Sequence, residues 1–223
     1  MSLPVVWLDD ALLVVNKPSG LLALPDGYDP SAPHLRSMLE PVYGRLWIVH
    51  RLDRETSGLV LLARSAAVHR TLNTQFEQRQ VEKIYHAIVI GLPPWQALTV
   101  NQPLRINVGR RRRTAVDPLR GKPAETQLYR LQDLGAFSLV EARPTTGRTH
   151  QIRAHLAACG FPIAGDPLYG PGEAAQTPFA RLMLHALSLR LAHPFTGEPL
   201  ALKAPYPDDF QTVMSRLEKH LGS

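Results

Sequence analysis

Sulfur is scarce in this chain: Cys159 is the one cysteine among 223 residues. A lone thiol excludes a disulfide framework and suits a reducing compartment, so the expected location is the cytoplasm. Long apolar runs are missing too. No stretch of about 18 apolar residues occurs, so no membrane span and no membrane partner are expected. The N-terminus lacks a basic segment followed by a long apolar one, which argues against a signal peptide. There is no Gly-rich phosphate loop and no dinucleotide fingerprint, so nucleotide cofactors have no signal. His150 and His155 do not share a helical face and no cysteine pair accompanies them, so no structural metal site is expected. Repeats, low-complexity tracts and Ser/Gly linkers are also absent.

What is present is a folded composition, 44% apolar and 20% charged, in a length that fits one large domain or two small ones. Twenty prolines favour many turns and short elements over long helices. The net charge of +6 leans toward a polyanion, most often nucleic acid, although a merely basic globular protein carries the same balance.

Short strands and few helices follow along the chain. Val5 to Leu8 and Leu12 to Val15 read as strands around Asp9-Asp10, followed by a turn in which Lys17 is expected to be solvated or packing. His34 to Leu39 reads as a short helix. Gly58 to Ala63 is a strand candidate, and Ser65 stands as an N-cap before a helix over Ala66 to Arg79. Val81 to Gly91 alternates, with Lys83, Tyr85 and Ala87 on one face and Ile84, His86 and Ile88 on the other. Pro93 to Lys122 looks irregular. Its run Arg110 to Arg113 cannot share one face, and is either a solvated hairpin tip or a phosphate-contacting arm. Strands are expected over Glu125 to Leu131 and Phe137 to Ala142. A helix follows Gly147, with Thr149 and Arg153 on a shared face and Cys159 buried on its apolar side. Leu182 to Leu191 and Leu200 to Lys203 read as a hairpin, and Asp208 to His220 as a closing helix. The mixture favours α+β with a largely antiparallel sheet.

Two clusters concentrate ionisable groups. His50-Arg51-Leu52-Asp53-Arg54-Glu55-Thr56-Ser57-Gly58-Leu59 sits between two apolar runs, and Arg143 to His155 opens a helix. Guanidinium groups beside Asp53 keep a carboxylate ionised and able to act as a nucleophile or base without a metal, yet ion pairs in loops are common.

The first cluster resembles the catalytic motif of the RluA family of pseudouridine synthases. Lys83-Ile-Tyr85-His-Ala87 resembles that family's Lys-x-Tyr-x-Ala strand. Thr146 to His155, Phe161 to Gly170 and Leu182 to Leu189 resemble its later motifs, and Val14 to Leu21 its opening strand and turn. The matches run in the family's order from about Val5 to Pro207.

The resemblance implies one catalytic domain over 1–223 without an S4 domain, built on a long curved antiparallel sheet with a central cleft. It implies isomerisation of uridine to pseudouridine in 23S rRNA and/or tRNA with no cofactor; no metal and no protein partner are implied, and the oligomeric state is not readable from the sequence, with a monomer as the default. Asp53 would be the catalytic aspartate, acting on the ribose or on the base. Arg153 would pair with it and Tyr85 would stack on the flipped uracil. Arg51 would hold the nucleotide out of its stack, with Leu184 opposite Tyr85. Lys83, Arg148 and His150 would line the substrate site, although Arg148 and His150 could equally buttress their loop. His50 is expected to fix the turn rather than shuttle protons. The other readings are an RNA-binding or folding factor that keeps the scaffold without catalysis, and an N-glycosidase that releases the base.

Overall fold

The computed structural model describes residues 3–27, 29, 31–109, 113–171 and 179–219. In chain order the elements are β1 (Val5–Leu8), β2 (Leu12–Lys17), α1 (Leu35–Tyr43), β3 (Trp47–Ile48), β4 (Ser57–Ala63), α2 (Ala66–Glu77) and β5 (Glu82–Ile90). They continue as β6 (Ala97–Asn101), β7 (Leu104–Val108), β8 (Arg113–Val116), β9 (Glu125–Leu134), β10 (Phe137–Pro144), α3 (Gln151–Ala158), β11 (Leu184–Ala192), β12 (Pro199–Lys203) and α4 (Asp208–Lys219). The architecture is α+β, and its named strand pairs are antiparallel.

Two compact units divide the chain: Met1–Lys83 with Ala186–Pro205, and Ile84–His185 with Tyr206–Ser223. The first is ordered by β4, whose seven residues are all buried. Such a strand reads as a continuous apolar run because both of its faces are covered. It pairs with β2 from Leu12↔Ala63 to Lys17↔Gly58, and β1 pairs outside β2. Gly58 is required here. Its φ is +117°, and a Cβ would lie 2.2 Å from the carbonyl oxygen of Ala186. The Ser65 hydroxyl caps α2 by accepting the Val68 N–H, and Val68 and Leu72 enter the core with Leu61 and Leu189.

The second unit carries the strand order β5-β10-β9-β6. Tyr85 stands opposite Ala142 and His86 opposite Glu141 in the β5–β10 ladder. Its core gathers Ile88, Val140, Leu156, Met183, Leu184 and Phe210, the last from the apolar side of α4.

Several expectations change. Helix α1 runs on through Pro41 to Tyr43, past the expected end at Leu39. His34 and Ser37 form a reciprocal cap at its start. Pro93 to Lys122 holds three strands rather than irregular chain. Thr149 precedes α3 instead of sharing a face with Arg153, because His150 is the N-cap, in the left-handed conformation at φ +52°. Cys159 is the C-cap of α3 and only half-buried. Of the arginine run, Arg110 to Arg112 lie outside the described residues, and Arg113 begins β8.

Candidate active site

In the first unit the loop that carries Asp53 is held by backbone contacts. Lys17, expected to be solvated or packing, is fully buried, because its ammonium has three protons and finds three carbonyl oxygens. Nζ donates to Pro18 O at 2.9 Å, to Leu21 O at 2.8 Å and to Arg54 O at 3.1 Å. Gly20 N–H also donates to Arg54 O, Arg54 Nε donates to Gly20 O, and the Ser19 hydroxyl donates to Glu55 O. Thr56 N–H closes a tight turn on Asp53 O at 3.1 Å. The 17–20 turn therefore grips the backbone just after Asp53, which is itself half-buried, with Arg51 exposed beside it.

His50 is fixed as the sequence suggested. Its Nε2 accepts the Leu61 N–H at 3.1 Å and its ring stacks on Phe76 at 5.1 Å. Burial, with the charge of Lys83 second, pushes its pKa down to about 3, so at neutral pH it is an uncharged acceptor. Lys83 lies in the same unit, and burial lowers its ammonium to about 8.

The second unit holds Tyr85, Arg148, His150, Arg153 and Leu184. Tyr85 is half-buried and packs on the core cluster that contains Leu184, so these two are brought into one cluster. Behind Tyr85, on the opposite face of β5, His86 Nδ1 bonds the Tyr206 hydroxyl and Nε2 meets Glu141 Oε2 at 3.4 Å. Arg143 completes this chain on Glu141.

Arg153, on α3, is 1% exposed and forks onto Asp166, with Nε–Oδ2 and Nη2–Oδ1 both at 2.8 Å. A planar guanidinium suits a carboxylate in this bidentate way. Asp166 Oδ1 also accepts the N–H groups of Leu168 and Tyr169. The Arg153 guanidinium lies over the Tyr169 ring at 5.2 Å. Exposed Arg148 donates to Pro123 O at 3.1 Å, and His150 Nδ1 is 3.3 Å from the Tyr169 hydroxyl. Burial raises the Tyr169 phenol, so it stays protonated.

Asp166 and Tyr169 stand in the stretch Phe161 to Gly170 that resembles a later motif of the family, and the sequence alone leaves Lys17 as a solvated or packing residue. The nearest signal was the Gly165-Asp-Pro-Leu-Tyr-Gly170 turn that follows the helix. Among the described residues, no group of three His, Cys, Asp or Glu side chains is arranged to hold a metal ion, and no helix is long and apolar enough to cross a membrane.

The fold is that of pseudouridylate synthase domains. It overlays on human RNA Pseudouridylate Synthase Domain Containing 1 with a TM-score of 0.78 at 30% identity, covering 92% of this chain and 84% of that one. Human RNA Pseudouridylate Synthase Domain Containing 4 gives 0.77 at 28% identity over 96% of this chain and 92% of that one. Residues 11–158 match the RNA pseudouridylate synthase family profile, and the chain belongs to that family. Curated relatives include Ribosomal large subunit pseudouridine synthase D of Neisseria meningitidis, 37% identical over 100% of this chain and 64% of the relative. Ribosomal large subunit pseudouridine synthase C of Vibrio vulnificus is 38% identical over 96% of this chain and 69% of the relative. The chain thus spans just under two thirds of the length of the Neisseria relative.

Proposed function

We propose that this protein isomerises uridine to pseudouridine in structured RNA, with large-subunit ribosomal RNA as the preferred substrate class and tRNA as the second. The observation that carries the reading is the half-buried Asp53 on a turn held by Lys17, in a chain of the RNA pseudouridylate synthase family. The names of the relatives favour the ribosomal large subunit.

In this reading Asp53 is the catalytic carboxylate. The N1–C1′ bond breaks, the uracil turns, C5 bonds to C1′, C5 gives up its proton and N1 gains one. Atoms and electrons balance within the nucleotide. Tyr85 stacks on the flipped base and its hydroxyl offers a hydrogen bond. Arg153 orients the site, and Arg51 holds the extruded nucleotide. Leu184, Lys83, Arg148 and His150 complete the substrate surface. We take residues 1–223 to act as one catalytic domain, as a monomer, in the cytoplasm.

The experiment is pseudouridine mapping of total RNA from cells with and without the gene, repeated with Asp53→Asn. One or a few positions should lose pseudouridine in the deletion and stay uridine with the variant. Survival of the modification in Asp53→Asn removes Asp53 from the chemistry. An unchanged map in the deletion overturns the reading.

A further inference from the structure

The described residues from Leu104 to Lys122 include four Lys and Arg residues, Arg105, Arg113, Arg120 and Lys122, and one carboxylate, Asp117, which pairs with Arg105 at 2.9 Å. Arg113, Arg120 and Lys122 are exposed, and Arg148 reaches the base of the same segment through Pro123 O. The β7–β8 hairpin is therefore a basic arm rooted beside α3. Several side chains hold its root: His155 Nε2 meets Gln102 O at 3.0 Å, and Tyr169 holds β8 itself.

The Tyr169 hydroxyl donates to Thr114 O at 2.8 Å and accepts Thr114 N–H at 2.9 Å, both in β8. His150 Nδ1, at 3.3 Å, supplies its remaining contact. The hydroxyl's one proton and one of its acceptor positions are thus committed to Thr114. The ring serves two guanidinium groups: Arg153 at 5.2 Å and Arg113, the last of the arginine run, at 6.0 Å. Leu104 of β7 and Ala154 of α3 pack in the same buried cluster. The turn that presents Tyr169 is closed by a backbone bond and packed against Arg181. Gly170 N–H bonds Asp166 O, and a Cβ at Gly165 would sit 2.0 Å from Arg181 O.

We propose that Tyr169 is a positioning residue that couples the basic β7–β8 arm to Arg153, so that RNA held by the arm is presented in register with the Arg153–Asp166 pair. The proposal rests on the RNA-directed reading above. A residue of purely structural value would change stability. A coupling residue changes how RNA is held.

The test compares wild type, Tyr169→Phe, Arg113→Ala and the double variant on a 23S rRNA transcript. Dissociation constants over a salt series and steady-state pseudouridine formation are measured, all well below each unfolding midpoint. Tyr169→Phe keeps the ring and loses the Thr114 bonds. It should raise Kd and KM about tenfold, more than it lowers kcat, and should lessen the slope of log Kd on log salt by about one. Arg113→Ala should act in the same direction, and the double variant should lose less than the product of the two singles. The proposal fails if Kd and salt slope stay at wild-type values in Tyr169→Phe, or if the two effects multiply. Should Tyr169→Phe not fold, an unchanged Kd and salt slope in Arg113→Ala suffice to overturn it. If wild type binds the transcript but forms no pseudouridine on any RNA, the catalytic reading fails while the binding comparison still judges the coupling.

Discussion

Lys17 Nζ lies 3.1 Å from the carbonyl oxygen of Arg54, 37 positions further along the chain, and this contact closes the loop that presents Asp53. A fully buried ammonium is costly unless every proton is used, and here three carbonyls use them. Lys17→Met keeps the stem and removes the donors. It should cost about 3 kcal/mol of stability, from carbonyls that lose the ammonium as donor. Urea denaturation measures the loss, and pseudouridine formation should drop with it. A variant as stable as wild type would show that the ammonium does not hold the loop.

Gly58 should tolerate no side chain. Gly58→Ala meets the Ala186 carbonyl and adopts φ +117°, so a loss of about 3 kcal/mol or more is expected. Gly44, at φ +74° with no atom near its missing Cβ, carries backbone strain but no clash, and Gly44→Ala should cost about 1–3 kcal/mol, less than Gly58→Ala. Thermal melts of the two variants should rank in that order.

Two groups make stability depend on pH. The folded state holds His50 near 3 against an ordinary 6.5, so the unfolded chain binds the extra proton between these values. Stability contributed by neutral His50 is therefore lost as pH falls from 6.5 toward 3. Lys83 is held near 8 against 10.5, so here too the unfolded chain binds more protons, and stability rises as pH climbs through that window. Denaturation series at several pH values should show both slopes. His50→Phe, which keeps a ring against Phe76, should flatten the acid one, and Lys83→Met the alkaline one. Slopes identical to wild type would place these protons elsewhere.

Asp166 should matter through Arg153. Asp166→Ala removes one partner of a buried, forked pair and leaves the Leu168 and Tyr169 N–H groups without their acceptor. Loss of a buried partner costs about 3–5 kcal/mol. Equilibrium unfolding should register that, and a loss below about 1 kcal/mol would mean that water replaces the carboxylate.

Local signals were readable wherever neighbours in sequence decide the structure. Ser65 marked the start of α2, and the apolar run after Gly58 marked β4, since caps and burial patterns are local. The strings around Asp53, Tyr85 and Arg153 carried the family, confirmed by the match over residues 11–158. What stayed hidden depends on distant partners. Nothing near Tyr169 announces that its hydroxyl meets Thr114, 55 positions earlier. Nothing near Lys17 announces Arg54. The far end of α1 was not legible either: proline normally ends a helix, yet α1 carries on two residues past Pro41, and Gly44 N–H caps it on Glu40 O.

Strands β5 and β11 each contain a boundary between the compact units, at Lys83/Ile84 and at His185/Ala186. Neither unit is therefore a contiguous stretch of chain. Along the chain, residues 84–185 interrupt the first unit as an insertion does, and 206–223 belong again to the second unit. No single cut yields either unit whole. On the ribosome the first unit cannot be finished until Pro205 has emerged, long after Asp53 and its loop have been made.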